Sequence, residues 1–203
     1  LRQLNELKTF YGPNLQNLNA VFIGNHDALA AGVDRIVFAA ERAFEMFGFE
    51  NHRGGKPSLF LFGSAGAFLK AEDRVFETLN RLPYATFINL GLESFDEPTL
   101  KRLGKPIDRT MVTQSLKRMV HLNETLSQVE ITANFLLGTT FTEAHHQSLV
   151  EILGSVPKKP GKRGCVYLSP LIETVHRDKV LPMFHEIRNV SGIPAYIYLI
   201  QRL

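Results

Sequence analysis

The segment ATFINLGLES, residues 85–94, contains a predicted β-strand and the turn that ends it. Phe, Ile, Leu and Thr dominate its first eight residues, and these types favour strands. Five similar apolar runs occur elsewhere, separated by longer stretches in which apolar residues recur three and four apart. Strands are predicted at residues 20–24, 58–63, 85–92, 129–138, 164–169 and 195–201. Because these strands alternate with helical stretches, the sequence predicts a parallel α/β sheet.

The helical stretches have apolar residues on one face. They are predicted at residues 33–47, 70–82, 108–123, 142–153 and 177–190. Asp108 can cap the helix that follows it, and Thr140 with Glu143 has the spacing of a capping box. The strands are almost continuously apolar, which predicts that both faces of the sheet are covered.

The order of the elements predicts an incomplete barrel. A helical stretch with Leu1, Leu4, Leu7 and Phe10 precedes the first strand, as expected for a βα repeat without its strand. The six strands are also fewer than the eight of a closed (β/α)₈ barrel. We therefore expect an α/β fold, a partial (β/α)₆ TIM-like barrel truncated at its N-terminus, as a single domain over residues 1–203. An open doubly wound sheet is the alternative.

Composition excludes several classes of protein. Of 203 residues, 44% are hydrophobic and 21% charged, which is typical of globular domains and not of disordered or fibrous chains. The net charge of +3 is too small to indicate nucleic-acid binding by itself. No apolar run approaches the roughly 20 residues of a membrane span and no signal peptide opens the chain, so we expect a soluble, cytoplasmic protein without a membrane partner.

Candidate binding residues follow the predicted strands. The active sites of (β/α) barrels form at the carboxyl ends of the strands, and five strands here end in small or polar residues. Glycine allows a ligand to approach the backbone, although turns in α/β proteins also use such residues for structural reasons alone. These exits contain Gly24, Gly63, Gly91, Gly138 and Ser169.

Strand parity groups polar side chains on two central strands. Asn89, Gly91 and Glu93 share one face of the third strand, and Glu130, Thr132 and Asn134 share one face of the fourth. Buried polar groups need partners, so these residues either pair with one another or line a cavity for a polar ligand. Glu93, beside Ser94 at a strand end, is the carboxylate that best fits ligand binding.

Four segments of the sequence together resemble one enzyme superfamily. They are GLESFDEPTLKRLGK at residues 91–105, FIGNHDAL at residues 22–29, NFLLG at residues 134–138 and VYLSPL at residues 166–171. The first resembles the fourth-strand and helix motif of the radical S-adenosylmethionine (SAM) superfamily, and the others resemble its second, fifth and sixth strands. The four matches occur in the order of the family.

The resemblance implies an enzyme with SAM and a [4Fe-4S] cluster as cofactors. Such an enzyme cleaves SAM reductively to a 5′-deoxyadenosyl radical, which abstracts hydrogen from a substrate that the sequence does not identify. An electron donor of the flavodoxin or ferredoxin type is implied as a partner. By the same resemblance, Gly24, Asn25 and Asp27 would receive the methionine amino group.

The remaining site residues implied by the resemblance lie in the second half of the chain. Glu93 and Ser94 would face the methionine or ribose part of SAM, and Lys105 would bind its carboxylate. Asn134 would contact the ribose hydroxyls. Gly138 would shape the adenine pocket, where the usual glutamate of the family is displaced to Glu143.

The cluster ligands of the family are absent from this sequence. The superfamily holds its cluster with three cysteines, commonly as C-x₃-C-x₂-C, after the first strand, and iron–sulfur clusters need such thiolates. This chain has one cysteine, Cys165, in a predicted strand where a small buried apolar residue is expected. We therefore predict no metal ligands in this chain. We also expect that the chain begins downstream of the cluster loop and is inactive alone.

Two other function classes remain open. One is a non-catalytic barrel domain with a binding or scaffolding role, and the other is an unrelated α/β enzyme for a nucleotide or phosphorylated metabolite. His145 and His146 are helix neighbours whose side chains point about 100° apart, which is unsuitable for one metal ion. RNA is a possible partner of a basic run without accompanying aromatic residues, for which a solvated loop is the simpler interpretation. The run comprises Lys158, Lys159, Lys162 and Arg163.

Overall fold

A computed structural model describes residues 2–51, 55–159, 161, 163–170 and 177–198 of the chain. Six strands form one sheet in the sequential order β1 to β6, and the pairs β1–β2, β4–β5 and β5–β6 are parallel. This order confirms the α/β prediction and contradicts the doubly wound alternative, in which the strand order reverses at a switch point. Closure of the sheet into a barrel stays a prediction. The strands are β1 (Ala20–Phe22), β2 (Ser58–Gly63), β3 (Ala85–Glu93), β4 (Val129–Leu137), β5 (Val166–Pro170) and β6 (Ala195–Ile197).

Eight α-helices lie within the described residues. The bounds of α2 and α8 agree with the predicted ones. None of the helices in the described ranges is both long and apolar enough to cross a membrane. The helices are α1 (Arg2–Tyr11), α2 (Val33–Phe47), α3 (Ala65–Lys70), α4 (Asp73–Asn80), α5 (Glu97–Arg102), α6 (Arg109–Thr125), α7 (Glu143–Gly154) and α8 (Arg177–Val190).

Local capping explains where the predicted helices were wrong. The predicted stretch 70–82 corresponds to α4 and includes only the last residue of α3, which was missed. The Ser64 hydroxyl accepts a hydrogen bond from the Ala67 amide and begins α3, and the extended Ala71 and Glu72 separate α3 from α4. Periodicity missed the short α5, which Asp96 caps. The Thr140 capping box is also wrong, since Thr142 caps α7 by accepting from the His145 amide at 3.2 Å.

Two strands begin or end close to a glycine that has a left-handed backbone conformation. β1 ends at Phe22, because Gly24 has φ 83°, and β5 begins at Val166, after Gly164 with φ 80°. Both strands are therefore shorter than predicted. Some residues of predicted elements or motifs lie outside the described ranges: Leu1, Lys162, Leu171 and residues 199–201.

The strands do not bury both faces equally. Ile88, Leu90 and Leu92 of β3 are fully buried, whereas the alternate residues from Ala85 to Glu93 are half-buried. The expectation that both faces are covered is therefore wrong for β3. The half-buried face is the one that carries Asn89, Gly91 and Glu93.

The chain divides into two compact units, and the first comprises residues 1–89 and 126–130. Its core includes the fully buried rings of Phe68, Phe76 and Tyr84. The Tyr84 hydroxyl donates to the Ala40 carbonyl at 2.9 Å, and burial raises the pKa of Tyr84. Asn80, at the end of α4, accepts hydrogen bonds from the amides of Gln128 and Val129, which fixes the start of β4.

The second unit comprises residues 90–125 and 131–203. Here Asn123 of α6 is buried, and its side-chain amide bonds both backbone groups of Ile131 in β4, at 2.8 and 2.7 Å. A Cβ at Gly164 would lie 2.2 Å from the Asn123 amide nitrogen, so only glycine fits beside this contact. Whether the two units act as the single predicted domain stays a prediction.

Candidate functional site

The end of β3 has an unusual backbone conformation at Glu93. Its φ is 64°, and no other non-glycine residue in the described ranges has a positive φ. The Ser94 amide donates to the Leu92 carbonyl at 2.8 Å, so Glu93 is the central residue of a three-residue γ-turn. A γ-turn with positive φ is rare and strained for a residue that carries a Cβ. Such strain costs about 1–3 kcal/mol and is often found at functional sites.

The carboxylate of Glu93 folds back along its own strand. A Cβ at Gly91 would lie 3.0 Å from Glu93 Oε1, so the absence of a side chain at Gly91 makes room for the carboxylate. Oε1 lies 2.9 Å from Lys105 Nζ, and the two side chains are 17% and 44% exposed. The structure thus brings together two residues that the sequence assigned separately to one ligand.

Lys105 owes its position to the end of α5. Gly104, with φ 64°, follows the last turn of the helix, and its amide donates to the Lys101 carbonyl. The Lys105 amide donates to the Leu100 carbonyl, which completes a Schellman motif. This left-handed ending turns the chain at Lys105, whose side chain reaches the end of β3.

A buried chain of hydrogen bonds fixes the residue after Glu93. The Ser94 hydroxyl accepts from the Asp96 amide at 2.9 Å and lies 2.7 Å from His145 Nδ1. His145 Nε2 lies 2.9 Å from the Leu136 carbonyl, which can only accept, so Nε2 carries the proton and Nδ1 accepts from Ser94. Burial lowers the pKa of His145, which favours this neutral form, against the opposing effects of the Leu136 hydrogen bond and the Asp96 charge.

Ser94 and His145 therefore join the ends of two strands to a helix. Both side chains are fully buried, and the serine hydroxyl makes two hydrogen bonds within the protein. The predicted contact of Ser94 with SAM stays a prediction. No pattern in the sequence connects His145 with Ser94, because the two residues are 51 positions apart.

The predicted residue Asn134 lies within β4, and the predicted Gly138 follows the end of this strand. Asn134 is half-buried and lies opposite Tyr167 of β5, and Gly138 is buried with φ 150°. Arg102 of α5 donates to the Thr140 carbonyl at 3.3 Å, and its guanidinium lies 5.4 Å from the centre of the Phe141 ring. The sequence missed Arg102, which holds the turn after β4 near α5.

In the first unit, Gly24, Asn25 and Asp27 form the turn after β1. A Cβ at Gly24 would lie 2.7 Å from the Cβ of Ala28, so glycine is needed for the turn itself. Asp27 Oδ1 accepts from the Ala30 amide at 3.2 Å, and Asn25 is exposed. These contacts give the turn a structural role, and the predicted binding of an amino group by these residues stays a prediction.

The described residues do not provide a metal site. Within the described ranges, no group of three or more His, Cys, Asp or Glu side chains could hold a metal ion. Cys165 is buried immediately before β5. His146, the other half of the histidine pair, is buried and bonds Glu186 of α8 at 2.8 Å through Nε2.

Comparisons with known proteins give a structural likeness but no match by sequence. No family model matches the sequence, and a search of curated proteins finds no match. The solved structure of Elp3 from the archaeon Methanocaldococcus infernus, with N-terminal residues 1–46 deleted, is similar with a TM-score of 0.59 at 10% identity. The match covers 99% of this chain and 51% of that one, so the chain spans about half the length of the matched structure. At this identity the likeness shows the fold alone.

Because the backbone at Glu93 is strained, we expect glycine to be more stable than alanine at this position, which is the reverse of their usual order. Both Glu93→Gly and Glu93→Ala lose the ion pair with Lys105, but alanine keeps a Cβ at positive φ. We expect Glu93→Gly to be the more stable variant, by about 1 kcal/mol in urea unfolding. At Glu41, exposed within α2, glycine is expected to be less stable than alanine by about the same amount. Equal stability of the two Glu93 variants would show that the turn is unstrained.

The neutral state of His145 predicts a pH dependence of stability. The ordinary pKa of 6.5 is lowered in the folded chain, so the unfolded chain binds more protons once the pH falls below 6.5. We therefore expect the free energy of unfolding to fall as the pH decreases below 6.5. Urea unfolding measures it. His145→Gln should lose this component, whereas a matched change at the exposed His121 should keep it.

Proposed function

We propose that this chain is the SAM-binding part of an enzyme of the radical SAM type. The sequential parallel sheet is similar to that of Elp3, which is a member of the radical SAM family. Fold alone does not establish an activity, so the proposal depends on the side chains at the end of β3.

The ion pair of Glu93 and Lys105 is the observation that carries the proposal. SAM has an amino-acid end with an ammonium and a carboxylate. The Glu93 carboxylate can accept from that ammonium, and the Lys105 ammonium can bind that carboxylate, each replacing its present partner. Because Lys105 is 44% exposed, its side chain can move aside as a ligand enters. The turn at Glu93 keeps the acceptor in place while this exchange occurs.

Asn134 provides a second kind of contact in the same unit. Its side-chain amide can both donate and accept, which suits the two hydroxyls of a ribose. It is half-buried, as a residue that lines a ligand site would be. The charged pair and the amide together match the chemistry of SAM better than that of a phosphorylated metabolite, for which the pair contributes one cation beside a repelling carboxylate.

The residues of this chain do not fit a [4Fe-4S] cluster. Three thiolates are needed, and the sequence has a single cysteine, which is 6% exposed. Reductive cleavage of SAM would require cysteines from polypeptide other than these residues. The proposal for this chain is accordingly SAM binding, and the radical reaction, its substrate and its electron donor are proposals for a larger assembly.

SAM binding can be tested by isothermal titration of the iron-free chain. We expect Glu93→Gln and Lys105→Gln each to weaken SAM binding about 10- to 100-fold, because each removes one charge-assisted hydrogen bond. Adenosine lacks the amino-acid end, so its affinity should change by no more than about twofold in these variants. Lys101→Gln is the matched control, since Lys101 is also an exposed lysine that pairs with a glutamate of α5. The proposal fails if SAM and adenosine respond alike.

A binding domain without radical chemistry is the second candidate function, and the single cysteine favours it. The two candidates differ in the native protein isolated without oxygen from its own cells. The radical enzyme would contain iron and sulfide with the absorbance of a [4Fe-4S] cluster, whereas a binding domain would be colourless and would still bind SAM. Iron analysis and SAM titration of the same preparation distinguish them.

A further inference from the structure

A basic groove lies in the second unit, away from the ends of β3 and β4. It has a volume of about 640 Å³ and runs between the loop after α7, the last turn of α8 and the start of β6. Three cationic residues line it, and none of its described lining residues is acidic. The residues used below are Lys158, Lys159, Arg188, Gly192 and Tyr196.

Close backbone packing fixes the walls of the groove. A Cβ at Gly192 would lie 1.7 Å from the Val156 carbonyl oxygen, so the turn before β6 and the loop after α7 meet without a side chain between them. The Gly192 amide donates to the Leu153 carbonyl at 3.0 Å, and the buried Ser191 hydroxyl donates to the Ile193 carbonyl at 2.7 Å. The groove is therefore a fixed feature of the fold.

The cations are held at the surface of the groove. Lys158 Nζ donates to the Asn189 carbonyl at 2.7 Å, near the end of α8. The Lys159 ammonium pairs with Glu124 at 2.8 Å, and both side chains are largely exposed. The Arg188 guanidinium lies 6.0 Å from the centre of the Phe184 ring. Such exposed contacts exchange readily, so the cations can turn to an anionic ligand.

Aromatic rings continue from the groove along β6. Tyr196 lines the groove and is 54% exposed, and its ring centre lies 6.4 Å from that of Tyr167. Tyr198, which is 48% exposed, lies 5.9 Å from Tyr167. Lys158 and Lys159 of the basic run thus share the groove with an aromatic ring that the linear sequence did not show beside them.

We propose that this groove binds a single strand of nucleic acid, with phosphates on Lys158 and Arg188 and a base stacked on Tyr196. Cations that follow a backbone, next to exposed rings that stack on bases, are the two elements of such surfaces. The cations are exposed and spread along the groove, which suits a chain of phosphates. A site for one phosphate would instead bury a cation dedicated to it, and an acidic peptide would make no use of the tyrosines.

The proposal is tested by fluorescence anisotropy with a labelled oligouridylate of about 12 nucleotides. We expect Tyr196→Ala to weaken binding about 5- to 100-fold and Tyr196→Phe to retain it, because stacking needs the ring and not the hydroxyl. Phe38→Ala is the matched control, since Phe38 is a ring of 52% exposure with Arg42 over its face in the first unit. We expect Phe38→Ala to bind the oligonucleotide with the same affinity as the unchanged chain.

Salt dependence tests the role of the cations. Lys158→Gln and Arg188→Gln should each reduce the slope of log affinity against log salt by about 0.7, the value for one phosphate contact with a single strand. Lys101→Gln and Arg35→Gln, at exposed positions outside the groove, should leave the slope unchanged.

Three results would overturn the proposal. The first is oligonucleotide binding that is unaffected by Tyr196→Ala, or equal competition by heparin, since either shows a basic patch without stacking. The second is binding of uridine monophosphate as tight as that of the oligonucleotide, which shows a nucleotide pocket. The third is no binding at about 50 mM salt. These results leave the SAM proposal untouched, because the anisotropy measurement contains no SAM. The residues varied in it are not among the proposed SAM contacts.

Discussion

The carboxylate of Glu93 is held in place at the cost of an unfavourable backbone. A residue with a Cβ adopts φ 64°, its carboxylate lies over the bare Gly91, and Lys105 pairs with it at 2.9 Å. Because Lys105 is 44% exposed, solvent screens the ion pair, which by itself does not outweigh a backbone strain of about 1–3 kcal/mol. The conformation must therefore be imposed by the structure on either side of it.

Ser94 provides this support on one side. Its hydroxyl links the Asp96 amide to His145, and His145 links onward to the Leu136 carbonyl near the end of β4. Every polar atom named in this chain has a partner, so breaking any link would leave a buried group unpaired at about 1–3 kcal/mol. On the other side, the Schellman ending of α5 directs Lys105 back toward β3. The ending of α5 lies in the segment that follows Glu93, whereas the support from Ser94 needs a histidine 51 positions beyond that serine.

The sequence predicted the helices and strands that have a regular pattern of apolar residues, but it did not predict individual tertiary contacts. It predicted α2 and α8 with the correct bounds, because apolar residues recur at a regular helical spacing in both. In each case the pattern stops at a glycine or at another residue that does not favour helices. It missed α3, because the Ser64 cap and the extended Ala71 at the two ends of this short helix leave no trace in periodicity. It named Glu93 and Lys105 from strand position and resemblance. Their pairing, the left-handed turn and the neutral His145 depend on tertiary structure, which no local pattern encodes.

The two proposed sites of the second unit lie at opposite ends of parallel strands. Glu93 ends β3, whereas the basic groove adjoins Ala195, where β6 begins. Since the carboxyl ends of parallel strands share one edge of a sheet, a ligand in the groove leaves Glu93 and Lys105 accessible. Tyr196 and Tyr198 then follow β6 toward the carboxyl edge, so a nucleic-acid strand on these rings would extend from the groove in the direction of the predicted SAM site.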